Sequence, residues 1–285
     1  MTDLKSFLNA ESAVARVELT EVKGSSPREA GTAMFVSPDA THGTIGGGQL
    51  EYMAIDQART MLAAGRDKDR MSVPLGPEIG QCCGGHVEID ITLMDRAAID
   101  VAVRECELAQ QARPHVYVFG AGHIGRALAD CLALLPVRTI LVDERAEEIA
   151  LCTAPVQKRI TPLPEAEVRR APAGSAFIIL THEHALDFLI AAEALARTDS
   201  RYVGMIGSKT KRASFERWCR KNINPPIRAE NLVCPIGAQG SSDKRPEVIA
   251  AFVAAEVIAT LTVDSDRRTG HAPPSENVGG VKVDE

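Results

Sequence analysis

Apolar residues return at every second position near the start of the chain: Ala13, Ala15, Val17 and Leu19 alternate with Arg16, Glu18 and Thr20. A two-residue period puts successive side chains on opposite faces of a strand, so residues 13–22 predict a half-buried strand. A turn-rich loop follows, Gly24-Ser25-Ser26-Pro27-Arg28-Glu29-Ala30-Gly31, and then a second strand from Thr32 to Val36. The cleanest alternation is Val87, Ile89, Ile91 and Leu93 against Glu88, Asp90 and Thr92. Between these strands the period changes. Leu50, Met53, Ala54, Ala58, Met61 and Leu62 recur at helical spacing and predict a helix with one core-facing side. A further helix is expected from about Ala97 to Gln110, and Ala112-Arg113-Pro114 ends it.

Past that break the pattern alters again. Short, continuously apolar strands (His115–Phe119, Thr139–Val142, Phe177–Thr181 and Tyr202–Ile206) alternate with helical stretches. Those stretches carry Ile124, Leu128, Cys131, Leu132 and Leu135, then Leu186, Leu189, Ile190 and Ala194, then Phe215 and Trp218. Glu247 to Thr260, rich in Ala and Val, reads as a buried helix. Strands without alternation are buried on both faces, and their alternation with helices predicts a doubly wound parallel sheet. The predicted class is therefore α/β. An N-terminal α/β domain covers 1–112, a Rossmann-like domain covers 113–263, and the polar, Gly- and Pro-containing tail 264–285 is expected to be disordered.

Composition narrows the function classes. Hydrophobic residues make up 45% and charged residues 25%, as in ordinary globular proteins. A net charge of -6 argues against nucleic acid as partner. No apolar run approaches the roughly 18 residues that predict a membrane span. The first residues, Met1-Thr2-Asp3-Leu4-Lys5-Ser6-Phe7, lack the basic and apolar regions of a signal peptide. Seven cysteines, an odd number without an export signal, predict reduced thiols and a cytoplasmic location.

Five loops carry candidate chemistry. In Gly80-Gln81-Cys82-Cys83-Gly84-Gly85, two adjacent thiols lie between glycines, on a loop entering the strand Val87–Leu93. A thiolate is a soft ligand, and glycine leaves room for a bulky group beside it. Gly46, Gly47 and Gly48 precede a helix, where backbone N–H groups receive anions. Gly120-Ala121-Gly122-His123-Ile124-Gly125 follows a strand and opens a helix, and Asp143 closes the next strand 18 residues after Gly125. Strand, G-x-G-x-x-G, helix, strand, acidic residue is the dinucleotide fingerprint, with Asp143 expected on ribose hydroxyls. His182, His184 and Asp187 follow a further strand end, where polar site-lining or helix-capping is expected rather than metal binding. Lys209, Lys211 and Arg212 stand at a strand-to-helix turn that would suit an anion.

Taken together and in order, these motifs resemble the xanthine dehydrogenase accessory proteins of the XdhC/CoxI type. The resemblance rests on Gly24-Ser25-Ser26-Pro27-Arg28, Gly46-Gly47-Gly48-Gln49-Leu50-Glu51 and Gly80-Gln81-Cys82-Cys83-Gly84-Gly85. It continues through Gly120 to Gly125, Thr181-His182-Glu183-His184, Ile206-Gly207-Ser208-Lys209 and Cys234-Pro235-Ile236-Gly237, spanning roughly residues 1–262. It implies a non-catalytic chaperone of the molybdenum cofactor, which binds the molybdopterin form as transient cargo. Such a protein protects the cofactor, supports its sulfuration by a cysteine desulfurase and delivers it to the apo-xanthine dehydrogenase molybdenum subunit. Cys82 and Cys83 are then the candidate molybdenum contacts, with Gln81 beside them. Gly46 to Gly48 and Lys209 are candidates for its phosphate, and Gly120, Gly122, Gly125, Asp143 and His182 for cofactor or nucleotide. Two other readings stay open: an NAD(P)-dependent oxidoreductase with His182 as acid or base, and a sulfur-transfer protein carrying a persulfide on Cys82 or Cys83. Homo-oligomer formation is open as well.

Overall fold

Strand β1 (Ala15–Lys23) lies at the centre of the first sheet, because its alternation gives it one wholly apolar face: Ala15, Val17 and Leu19 are fully buried. The computed structural model describes residues 4–77, 84–238 and 241–262, and the chain divides into two units, Met1–Ala112 and Arg113–Glu285. Gln81, Cys82 and Cys83, and the tail from residue 263, lie outside the described residues.

In the first unit β1 is joined by β2 (Ala33–Val36), β3 (Thr41–Gly43), β4 (Lys68–Pro74) and β5 (His86–Leu93) in the order β3-β2-β1-β5-β4, every neighbouring pair antiparallel. The β1–β5 register slips between Leu19 and Glu21, a bulge that keeps Val22 opposite Val87. Helix α2 (Gly48–Ala63) lays Leu50, Ala54, Ala58 and Met61 on the apolar face. On the other face, α1 (Leu4–Ala10) and α3 (Arg96–Gln111) close a smaller cluster around Phe7, Leu8, Phe35 and Met94. Asp95 caps α3 by accepting from the Ala98 N–H at 2.8 Å.

The second unit is a five-stranded parallel sheet. Its strands are β6 (His115–Phe119), β7 (Arg138–Asp143), β8 (Gln157–Ile160), β9 (Ala176–Ile179) and β10 (Tyr202–Met205), ordered β10-β9-β6-β7-β8. The chain runs outward from β6 through β7 to β8, then crosses to the other side of β6 for β9 and β10. That reversal is the Rossmann arrangement and makes the β6/β9 boundary its switch point. Helices α4 (His123–Ala133) and α9 (Pro246–Thr262) cover Val116, Val118 and Ile178 on one face. The helices α6 (Pro164–Arg170), α7 (His184–Ala196) and α8 (Lys209–Asn222) cover Phe119, Phe177 and Ile179 on the other. A short α5 (Ala146–Ala150) follows β7. No described helix is long and apolar enough to cross a membrane.

Candidate functional site

In the first unit the predicted loops meet at one end of the sheet. The Leu75 N–H donates to the Gly85 carbonyl at 2.7 Å, and the Gly84 N–H donates to the Leu75 carbonyl at 2.8 Å. These bonds extend the β4–β5 ladder and fix where the chain leaves and re-enters the sheet around the Cys82–Cys83 segment. Ser25 pairs with Gly84 in an isolated parallel bridge, and a Cβ on Gly85 would stand 2.1 Å from the Ser25 carbonyl oxygen. Only glycine allows that approach. The loop 24–28 in turn touches the glycine triplet: a Cβ on Gly46 would fall 2.9 Å from Pro27 Cβ and 3.5 Å from Arg28 Cγ.

The triplet does not stand open to an external anion in the way its composition suggests. Gly46, Gly47 and Gly48 take φ of 131, 78 and 65°, which turns the chain back on itself before α2. Into that turn α2 sends its own Glu51. One Glu51 carboxylate oxygen, Oε2, accepts from Thr44 Oγ1 at 2.5 Å, the Ile45 N–H at 2.9 Å and the Gly47 N–H at 3.0 Å. Partial burial pushes the Glu51 carboxyl up, but the Thr44, Gly47 and Ile45 hydrogen bonds outweigh it and hold the pKa below the ordinary carboxylate value. What remains beside the loop are Arg28, exposed and without an ion pair among the described residues, and Ser26, whose Oγ is buried with no partner.

A folded-state pKa below the unfolded one means that Glu51 stabilises fully at neutral pH, and that its contribution fades as pH falls through the depressed value. Glu51→Gln should therefore lower the urea midpoint at pH 7, with the gap to the unaltered chain narrowing as pH falls below the ordinary carboxylate value and through the depressed one.

In the second unit the G-x-G-x-x-G loop leaves β6 at the switch point. Gly120 (φ 115°) and Gly125 are both demanded by the fold: a Cβ on Gly120 would stand 2.3 Å from the Leu180 carbonyl oxygen, and one on Gly125 1.8 Å from the Gly120 carbonyl oxygen. Gly122 is different. Its φ of -64° suits any residue, and a Cβ there would meet nothing within 4 Å. Such open backbone at a helix start is what a phosphate group needs. A narrow crevice beside the loop is lined by Phe119, Val142, Asp143, Thr181, His182 and Leu186, among others. His182 Nε2 faces Glu144 Oε1 at 3.8 Å, with both side chains largely exposed.

Asp143 departs from its expected role. It is 5% exposed. Oδ1 accepts from the Arg145 N–H at 2.9 Å and from Arg145 Nε at 3.0 Å. Oδ2 accepts from the Ala121 N–H at 2.7 Å and from Arg145 Nη2 at 2.9 Å. Burial pushes its carboxyl up, while the Arg145 and Ala121 hydrogen bonds pull it further down, for a net lowering. The glycine loop thus fits a phosphate, but the carboxylate expected to hold ribose hydroxyls is already engaged.

The cation group after β10 also separates. Lys211 Nζ is withdrawn into an ion pair at 2.5 Å with Asp187, which is fully buried. Arg212 is taken by Glu216 and the Glu230 carbonyl, at 3.1 and 3.2 Å. Lys209 alone of the three stays exposed without an ion pair among the described residues, and it does not line the crevice. Ser208 caps α8 through the Lys211 N–H at 3.3 Å. Asp187, read from the sequence as polar site-lining or helix-capping, ties three elements together, because it also accepts from the Thr181 N–H and Oγ1 at 2.9 and 2.6 Å. Among the described residues no three His, Cys, Asp or Glu side chains gather as a metal site.

Comparison with known proteins agrees with this two-part layout. Residues 7–73 match the XdhC and CoxI family, and residues 116–257 match the XdhC Rossmann domain. Uncharacterized protein YqeB of Escherichia coli (strain K12) is 23% identical over 256 residues, which is 86% of this chain. The chain spans 43% of the length of that relative. A Bacillus halodurans protein whose crystal structure is described as a xanthine dehydrogenase superposes with a TM-score of 0.78. That match covers 95% of this chain and 97% of the other at 17% identity, a likeness of fold. With a family match in each unit, covering both the glycine-triplet loop and the Rossmann fingerprint, the chain belongs to the XdhC and CoxI family.

Proposed function

We propose that this protein is an accessory factor in xanthine dehydrogenase maturation, and that its cargo is the molybdenum cofactor. The observation that carries the reading is the junction in the first unit. The Leu75–Gly84 and Leu75–Gly85 bonds and the Ser25–Gly84 bridge bring the residues that flank Gln81, Cys82 and Cys83 in the sequence to the loop 24–28, which in turn touches Gly46. Two adjacent thiols, Cys82 and Cys83, can give molybdenum one soft, exchangeable ligand, and a carrier must release what it binds. The phosphate of the cargo requires donors that the chain has not already used. Arg28 and the Ser26 hydroxyl meet that condition, whereas Glu51 occupies the Gly47 N–H of the glycine triplet and the Ile45 N–H before it, and Thr44 Oγ1 accepts from the Gly46 N–H. Lys209 remains a candidate in the second unit.

In this reading the protein shields the cofactor, presents it to a cysteine desulfurase for exchange of a terminal oxo for a sulfido ligand, and hands it to the apo-enzyme. The role is that of an accessory protein rather than a catalyst. Its test is co-expression with a complete cofactor-synthesis pathway, followed by measurement of molybdenum and pterin in the purified chain. Near-stoichiometric amounts of both are expected, and Arg28→Ala should lower them. Pterin-free protein from cells that make the cofactor would contradict the reading.

A further inference from the structure

We propose that Arg145 is an internal substitute for a ribose diol and closes this Rossmann cleft to dinucleotides. An ionised carboxylate offers about four lone-pair positions. Asp143 fills four: the Arg145 N–H and Nε on Oδ1, and the Ala121 N–H and Arg145 Nη2 on Oδ2. In a dinucleotide site the ribose 2′-hydroxyl donates to this carboxylate. Here a two-pronged guanidinium two residues along the chain already donates to both of its oxygens. A ribose that reaches Asp143 must displace Arg145 or leave its hydroxyls unpaired.

The rest of the fingerprint is intact, which makes Arg145 the specific obstacle. The loop keeps its open backbone at Gly122, and Gly120 and Gly125 keep the close approaches the fold requires. The surroundings do not favour a 2′-phosphate in place of the diol. Glu144, Glu147 and Glu148 follow Asp143 closely, and Arg126, the other cation at this point, is bonded to Glu148 at 2.5 Å and to the Ala121 carbonyl. Arg145 is therefore a specificity-determining residue, and the cleft as folded excludes both NAD and NADP. This inference stands apart from the carrier reading, whose test is molybdenum and pterin content.

The experiment is a fluorescence titration of the full chain with NADH and, separately, NADPH. Arg145→Ala should bind NADH at least about tenfold more tightly than the unaltered chain, since it restores charge-assisted hydrogen bonds to Asp143. The double variant Arg145→Ala with Asp143→Asn should lose that gain, and NADPH should gain less than NADH. A merely structural role for Arg145 predicts none of these differences. Circular dichroism checks folding, and Arg145→Gln serves if the alanine variant is unstable. A smaller gain in folded protein, or micromolar NADH binding by the unaltered chain, would overturn the proposal.

Discussion

Asp187→Ala should destabilise the second unit by about 3–5 kcal/mol, the range for removing one partner of a buried ion pair. Asp187 is fully buried, and the Lys211 side chain is 11% exposed. With the carboxylate gone, an ammonium group stays inside without compensation, and the Thr181 N–H and hydroxyl lose their acceptor. The loss is mechanical as well as electrostatic. Thr181 follows β9, Asp187 lies in the first turn of α7, and Lys211 lies in the first turn of α8, so one carboxylate ties three elements at the carboxyl edge of the sheet. Asp187→Leu combined with Lys211→Met should be far milder than either single change, because a whole buried pair exchanged for apolar residues is often near neutral. Trp218, the single tryptophan, stands in α8 at 6.3 Å from the Phe215 ring. Its fluorescence during urea unfolding therefore reports on this unit.

Gly125→Ala should be comparably damaging, while Gly122→Ala should leave stability unchanged within about 0.5 kcal/mol. Both glycines belong to the same motif, so composition alone does not separate them. The added methyl at 125 would stand 1.8 Å from the Gly120 carbonyl oxygen and 3.1 Å from Leu180 Cδ1. The first of these is backbone and cannot rotate away, so α4 must move off the sheet, at a cost of about 3 kcal/mol or more. At 122 the methyl meets only space. Thermal unfolding of the two variants side by side decides the matter. Equal effects would mean that the loop does not pack as described.

The contrast shows what was legible in the sequence and what was not. Elements with a one-sided or wholly buried face announced themselves. Val17, Leu19, Ile89 and Ile91 marked the central strands of the first unit, and β6, β7, β9 and β10 stood out as apolar runs. Strand β8 went unread because all four of its residues are exposed, so edge pairing with β7 leaves no hydrophobic period. Strand β4 buries only Val73, and it too is an edge strand. The Rossmann fold followed from the order of elements, with a fingerprint in its expected context.

The sites were legible only as far as residue type. Glycine triplet, acidic residue and cation cluster were each found, but each was read as facing outward. In the structure Glu51, Arg145 and Asp187 are the partners that engage them. Glu51 stood in view, seven residues after Thr44 at the start of a helix, as a wider version of the reciprocal cap that Ser or Thr and Glu often make. Arg145, two residues past Asp143, was equally plain. Neither pairing has a fixed spacing rule, because each depends on how a turn closes. Lys211 is read from the sequence as part of a cation cluster suited to an anion, because its acidic partner, 24 residues earlier, is not visible in local spacing.

The central claim is that the Cys82–Cys83 segment holds molybdenum cofactor. The direct measurement is molybdenum and pterin content of the chain purified from cofactor-producing cells, compared with its Cys82→Ala and Cys83→Ala forms. The account predicts that at least one of the two variants loses most of its bound cofactor, while its far-UV circular dichroism spectrum and calorimetric unfolding profile match those of the unaltered chain. Undiminished cofactor in both variants would contradict it.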